Sequence, residues 1–134
     1  MVIDANVAAA AVCFQCEAAL VFLRLARRAA FAYASEETLA ETREVTQRLI
    51  RRLRPTHNAA GRLAWYLDQV RLVEAAPLGK QRSRDVKDDP YLAAALAAGA
   101  EMIVTYDKDL LVLEKPFGIS IVRPSVFLSR CQMA

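Results

Sequence analysis

The stretch MIVTYDKD at residues 102–109 decides the fold that the sequence predicts. Its apolar first half, residues 102–105, is short and follows Gly99, so it predicts a buried strand of the kind found in parallel sheets. Residues 90–98, just upstream, predict a helix that begins at Pro90 and ends at Gly99. A helix that leads into a buried strand, with acids directly after that strand, is typical of an α/β fold.

Outward from this stretch, apolar runs and helical patterns alternate along the chain. Strands are predicted at residues 2–3, 31–34, 102–105 and 119–122. Helices are predicted at residues 6–25 (as one or two), 36–53, 59–73, 90–98, 110–113 and 125–131. Right-handed crossovers between parallel strands place helices on both faces of a sheet. The order therefore predicts a three-layer α/β/α sandwich around a small, mainly parallel sheet.

Length and composition narrow the class of protein. The 134 residues predict a single domain over residues 1–134, and 55% hydrophobic with 25% charged residues excludes disorder. The net charge of +3 is uneven: residues 24–84 are basic, and both ends of the chain are acidic. This pattern suits an anionic ligand next to a cation-binding acidic site, and a solvated helix surface accounts for the arginines equally well.

Two apolar features of the N-terminal half have ordinary explanations. Cys13 and Cys16 form a C-x-x-C, but a zinc site needs two further ligands and His57 is the sole histidine. We expect small buried thiols in a reducing, cytoplasmic protein. The apolar run at residues 5–23 has the length of a membrane span, yet Glu17 stands near its centre, which favours a core helix.

The positions of the acids carry the functional information. Asp4 directly follows the first predicted strand, Asp107 follows the third, and Asp89 opens the helix before it. Ligands of parallel sheets gather beyond the carboxyl ends of the strands, so these acids are expected to meet. Packed carboxylates repel one another unless a cation lies among them, and oxygen ligands favour Mg²⁺ or Mn²⁺.

Simpler explanations exist for several of these acids. Asp88 and Asp89 are good helix caps, and Asp107 and Asp109 are common in turns. Periodicity does not choose among the four glutamates of the helix predicted at residues 36–53, which are Glu36, Glu37, Glu41 and Glu44.

Five segments together resemble PIN-domain nucleases. They are VIDANV (residues 2–7), SEETLAE (35–41), RDVKDDPYLA (84–93), VTYDKDLL (104–111) and GISIVRPSVFL (118–128). They occur in the family's order and span nearly the whole chain. The resemblance points to the branch that contains VapC-type toxins of toxin–antitoxin systems. The chain departs from the family at Ala5, where Thr is frequent, and at Tyr106, where Gly is common.

The resemblance implies a PIN-like fold and a metal-dependent ribonuclease. It implies that Asp4, Glu41, Asp89 and Asp107 are the catalytic residues and hold Mg²⁺ or Mn²⁺. Accessory roles would fall to Asn6, Asp85, Asp88, Asp109 and Thr105, the last as the residue that orients Asp107. The expected partners are an RNA substrate, a cognate antitoxin and a second copy of the chain, with no membrane.

Two other classes of function stay open at this point. One is a binding module with a nuclease-like fold that has lost turnover and binds RNA or a protein. The other is a Mg²⁺-dependent phosphotransferase or phosphatase of doubly wound fold, in which Asp4 would be the nucleophile. The ordered acidic segments around Asp89 and Asp107 fit the nuclease better.

Overall fold

The computed structural model describes residues 1–132. Its strands are β1 (Val2–Ile3), β2 (Tyr33–Ala34), β3 (Arg71–Leu72), β4 (Met102–Val104) and β5 (Ser120–Val122). Its α-helices are α1 (Ala5–Cys13), α2 (Glu17–Ala26), α3 (Glu36–Leu53), α4 (Ala59–Gln69), α5 (Asp89–Ala98), α6 (Lys108–Leu111) and α7 (Pro124–Gln132). Short 3₁₀ turns lie at Val86–Asp88 and Pro116–Gly118.

The five strands form one sheet in the order β3-β2-β1-β4-β5, and every pairing is parallel. Alternate side chains of the strands enter two separate clusters of buried residues. Ile3 and Val104 pack with α1, α2, α4 and α7, whereas Val2 and Ile103 pack with α5 and α6. Because the clusters lie on opposite faces of the sheet, the predicted α/β/α sandwich is confirmed.

The apolar N-terminal run folds into two helices. Seven of the nine residues of α1 are buried, so α1 is a core helix. The chain turns by 92° between α1 and α2. Within residues 1–132, no single helix is long and apolar enough to cross a membrane, although this bent pair passes the same test of length and composition.

The break also separates the two cysteines of the C-x-x-C. Cys13 ends α1 and is buried, whereas Cys16 caps the start of α2 and is partly exposed. The expectation of two buried thiols is therefore correct for Cys13 only.

The fifth strand, β3, corrects a prediction. Residues 59–73 were expected to form one helix, but α4 ends at Gln69 and Val70 is extended. The next residues pair with β2, since the Arg71 amide donates to the Ala32 carbonyl and the Val73 amide to the Ala34 carbonyl, both at 2.9 Å. The helical pattern of the sequence continues to residue 73, but residues 71–73 pair with the edge of the sheet instead.

A capping box fixes where α3 begins. The Ser35 hydroxyl accepts a hydrogen bond from the Thr38 amide at 3.2 Å, and the Thr38 hydroxyl accepts one from the Ser35 amide at 3.0 Å. Ser35 directly follows β2, so the first turns of α3 lie at the carboxyl edge of the sheet. The position of Glu41, two turns into α3, follows from this cap.

Two buried threonines of α3 give a test of this packing. Thr46 is fully buried and its hydroxyl finds no partner within the described part of the chain. Thr46→Val should therefore raise the free energy of unfolding by roughly 1 kcal/mol, because an unsatisfied polar group is replaced by a methyl. Thr38→Val, the matched control, should lower it by about 1 kcal/mol because the capping box is lost. Urea unfolding measures both, and a destabilised Thr46→Val variant would contradict the assignment.

Candidate active site

One hydroxyl joins the ends of the two central strands. Asp4 follows β1 and is only 3% exposed. Its Oδ2 accepts a hydrogen bond from the Thr105 hydroxyl at 2.7 Å, and the same hydroxyl accepts one from the Asp107 amide at 2.9 Å. Thr105 therefore positions Asp4 through its side chain and Asp107 through its backbone. The resemblance implied only the second of these contacts.

The Asp107 side chain has a local role as well. Its Oδ1 accepts a hydrogen bond from the Asp109 amide at 2.9 Å and so caps α6. This cap begins α6 at Lys108, two residues before the predicted start of the helix.

Glu41 reaches the same edge of the sheet from α3. Its Oε1 accepts a hydrogen bond from the Tyr91 hydroxyl at 2.8 Å, and that hydroxyl accepts one from the Ala5 amide at 3.3 Å. Glu41 is partly buried, while Glu36, Glu37 and Glu44 of the same helix are exposed. The structure thus selects the glutamate that the sequence pattern could not choose by periodicity.

The pKa of Asp88 is raised further than that of Asp4. Asp88 ends the 3₁₀ turn Val86–Asp88 and is buried, yet its Oδ2 has no hydrogen-bond partner among residues 1–132. Burial raises its pKa to about 8, and the neighbouring carboxylates of Asp107, Asp4 and Asp85 act in the same direction. In the absence of a cation, burial and repulsion therefore disfavour the ionised form of this carboxyl.

Asp4 is perturbed in the same sense. Burial raises its pKa to about 6, and the charges of Glu41 and Asp107 add to the effect, against the opposing hydrogen bond from Thr105. Two acids that are held close to the protonated form are a strong sign of a functional site.

Asp88 lies between two groups of acids. Toward the sheet it faces Asp4 and Asp107. Toward solvent, carboxylate oxygens of Asp85, Asp88 and Asp109 lie within 4.8 Å of one another. Asp109 is also paired with the Arg84 guanidinium at 2.8 Å. Asp85 and Asp109, both expected to be accessory, therefore form the outer part of the site, and Asp88, also expected to be accessory, lies between them and the sheet.

Asp89, expected to complete the quartet, has a different position. Its Oδ1 accepts a hydrogen bond from the Ser83 amide at 2.7 Å and its Oδ2 one from the Arg82 amide at 3.0 Å. Both oxygens are thereby used to hold the loop that returns to α5. The resemblance implied that Asp89 holds the metal, but in this structure it is Asp88 that faces Asp4 and Asp107.

Asn6 is exposed in the first turn of α1, one residue beyond the buried Ala5. Sequence reasoning overlooked Tyr91 altogether. The signal that could have found Tyr91 is its hydroxyl within an otherwise apolar helix, since a buried Tyr hydroxyl usually has a hydrogen-bond partner. For Asp88, the signal was its spacing from Asp85, because residues three apart share one side of a helical turn.

The donor set fits a hard divalent cation. Carboxylate oxygens are the ligands that Mg²⁺ and Mn²⁺ prefer, and Asp88 Oδ2 is a buried oxygen without a donor. A cation there would allow Asp88 to ionise and would offset the repulsion among its neighbours.

Comparisons with known proteins agree with this architecture. The crystal structure of PAE2754 from Pyrobaculum aerophilum is similar in fold, with a TM-score of 0.67 at 20% sequence identity, over 99% of this chain and 89% of that one. No curated protein sequence is significantly similar to the chain. The family model of the PIN domain matches residues 1–109, a range that includes β1 to β4 and all the acids of the site. The chain therefore belongs to the PIN domain family.

Proposed function

We propose that this protein is a Mg²⁺- or Mn²⁺-dependent endoribonuclease that cleaves single-stranded or loop RNA with water as the nucleophile. PIN domains are generally nucleases that use divalent metals. The observation that carries the proposal is Asp88, a buried carboxyl whose Oδ2 has no partner in the described chain and which lies between two groups of acids. Such a group costs stability unless a bound cation compensates it.

In this proposal Asp4, Glu41, Asp88 and Asp107 hold the metal, and Asp85 and Asp109 hold the outer side of the site. A divalent cation bound there would supply Lewis acidity, which activates water and stabilises charge on the phosphodiester. Thr105 holds Asp4 and Asp107 next to each other at the ends of two neighbouring strands. A cation held by these residues would lower the pKa of Asp88, so that its proton would be released to solvent.

Exposed cations on the segments that carry the acids support an RNA substrate. Arg82, Arg84, Lys87 and Lys108 are exposed on the segments that carry Asp88 and Asp107. The Arg84 guanidinium reaches the rim of the site through Asp109. Positive side chains around a metal-binding acidic centre bind the phosphates that flank the scissile bond. Unpaired strands are favoured because their bases can be splayed away from a narrow site.

We also propose a protein partner, in keeping with the toxin branch of the family. A groove of about 590 Å³ lies between α2 and α4, lined mainly by apolar side chains together with Arg62. Leu20 and Leu23 of α2 are exposed beside it. An antitoxin segment with apolar side chains and an acid opposite Arg62 would cover this surface. A second copy of the chain, as in a homodimer, is the other expected assembly, and light scattering of the isolated protein measures it.

The three cysteines, Cys13, Cys16 and Cys131, are free thiols. Free thiols of this kind suit the reducing cytoplasm, which we propose as the compartment in which the enzyme works.

The proposed activity is tested with the purified protein and a labelled single-stranded RNA. We expect cleavage with Mn²⁺ or Mg²⁺, none in excess EDTA, and recovery when metal is restored. The same bases in a duplex should be cut more slowly. RNA binding without cleavage would identify a binding module. Hydrolysis of a small phosphate ester without RNA cleavage would identify a phosphatase.

Two adjacent acids provide a matched test of the site. Asp88→Asn should abolish Mn²⁺ binding and reduce cleavage by more than the roughly 10- to 100-fold loss that is typical of an outer-shell partner. Asp89→Asn should retain most activity and instead lower stability, by about 1 to 3 kcal/mol, because an amide cannot accept both backbone hydrogen bonds. Titration of Mn²⁺ and RNA cleavage by each variant measure this difference. The reverse order of effects would return Asp89 to the metal site.

The raised pKa values of Asp4 and Asp88 predict how stability depends on pH without metal. The folded protein keeps protons on these groups up to about pH 6 and pH 8, whereas the unfolded chain releases them near its ordinary value of 3.8. At these two groups the folded state therefore binds more protons between these limits, and their contribution to the free energy of unfolding should fall as the pH rises from 4 to 8.

Asp88→Asn should remove the part of this decline that lies between pH 6 and pH 8, since the amide does not titrate. Urea unfolding in EDTA at several pH values measures the difference between the wild type and this variant. Parallel pH profiles would show that Asp88 has no raised pKa. The Mn²⁺ affinity of the wild type should rise over the same range, because the metal competes with the proton.

A further inference from the structure

Tyr91 lies at the meeting point of three helices. It is 1% exposed in α5, and its hydroxyl accepts a hydrogen bond from the Ala5 amide of α1 and donates one to Glu41 Oε1 of α3. A tyrosine hydroxyl has one proton to donate, so in this arrangement the proton is given to Glu41. The hydrogen bonds run in one direction, from Ala5 through Tyr91 to Glu41.

The start of this chain of bonds is a helix N-terminus. The amide of Ala5 belongs to the first turn of α1, where amide protons have no partner inside the helix and the helix dipole is positive. Tyr91 satisfies this amide, and the polarisation of its hydroxyl strengthens the bond to Glu41. Positive potential at the N-terminus of α1 is thereby conveyed to a carboxylate that lies on another helix.

The geometry of the Tyr91 hydroxyl fixes which group is the donor. The Ala5 amide can only donate to this hydroxyl, and the Glu41 carboxylate can only accept from it, so its single proton lies toward Glu41 Oε1 at 2.8 Å. The hydrogen bond restrains the Glu41 carboxylate at Oε1, so that Oε2 would be the oxygen available to a metal.

Without this hydrogen bond, few contacts would restrain the Glu41 carboxylate. The carboxylate lies at the end of a long, partly buried side chain and faces the negative charge of Asp4. Repulsion from Asp4 would favour rotamers of Glu41 that point toward solvent. Tyr91 opposes this with a directional hydrogen bond from a rigid, buried ring.

We propose that Tyr91 is a positioning residue that holds Glu41 in the orientation required for metal binding. The inference rests on the proposed metal-dependent function and adds a residue to its machinery. Tyr91 itself contacts neither metal nor substrate and acts through Glu41. The general parallel is the outer-shell partner that orients a metal ligand, whose loss costs about 10- to 100-fold in affinity.

The test compares Tyr91→Phe with the wild type by titration of Mn²⁺, using the electron paramagnetic resonance signal of the free ion. We expect Mn²⁺ affinity to fall by about 10- to 100-fold. The rate of RNA cleavage at saturating Mn²⁺ should fall much less, because a misoriented ligand is recovered by mass action. Tyr66→Phe is the matched control, since Tyr66 is also buried but stacks on Phe22 in the other core. It should leave the affinity unchanged.

A Glu41→Gln background separates positioning from a general effect on structure. If Tyr91 acts through the Glu41 carboxylate, Tyr91→Phe should change Mn²⁺ affinity by less than about twofold in this background, as a double-mutant cycle requires for coupled residues. An equal loss in both backgrounds would overturn the proposal, and so would unchanged affinity of Tyr91→Phe alone.

Two further outcomes are distinguishable. If the wild type binds no Mn²⁺, the proposed function fails and this inference fails with it. If the wild type binds Mn²⁺ and Tyr91→Phe binds equally well, only the inference fails. Should Tyr91→Phe not fold, Glu41→Asp keeps the hydroxyl and withdraws the carboxylate by one methylene. It should lose affinity to a similar degree, and a Glu41→Asp variant with wild-type affinity would overturn the proposal.

Discussion

The structure depends on one constraint, which is that acids must be held together at a buried edge where their charges repel. Asp4 is almost wholly buried at the end of the central strand, and its pKa is raised by burial and by two neighbouring acids. Isolated, it would be neutral or would be displaced toward solvent. The Thr105 hydroxyl, at 2.7 Å, keeps it in place, and the backbone amide of Ala5 lies beside it. The start of α1 and the end of β4 thus both help to hold Asp4 at this edge.

A parallel sheet of very short strands is enough to bring these acids together. Its strands contain only two or three residues each, so they contribute few hydrogen bonds of their own. The strands matter because they run in the same direction, which brings Asp4, Ser35 and Thr105 to one edge of the sheet. Stability comes mainly from the helices, above all from α1, which is buried against its neighbours. A short, well-covered sheet is sufficient because its role is to align strand ends.

The order of the elements and the edge at which the acids meet could be predicted from the sequence, because both follow from local patterns. Apolar runs, Gly99 and Ser35 mark elements whose identity depends on nearby residues alone. β3 could not be predicted in this way, since two exposed residues become a strand only through pairing with β2. The sequence leaves the break between α1 and α2 open, because the apolar run at residues 6–25 suits one helix or two. It lies at residues 14–16, where Phe14 and Gln15 are exposed.

The candidate site shows the same division between local and non-local information. Asp4 directly follows β1 and Asp107 lies three residues after the end of β4, so their positions could be predicted from the sequence. The contacts of Tyr91 could not, because they join three helices that meet only after folding. Asp88 and Asp89 are chemically identical neighbours at the start of a helix, where successive side chains point about 100° apart. Only one of them can face the acids of the sheet, and the loop decides which one. The amides of Arg82 and Ser83 bind both oxygens of Asp89, and this anchors the returning loop so that Asp88 turns inward. The acid with two hydrogen-bond donors thus secures the backbone, and the acid with an unpartnered oxygen is the one suited to a cation.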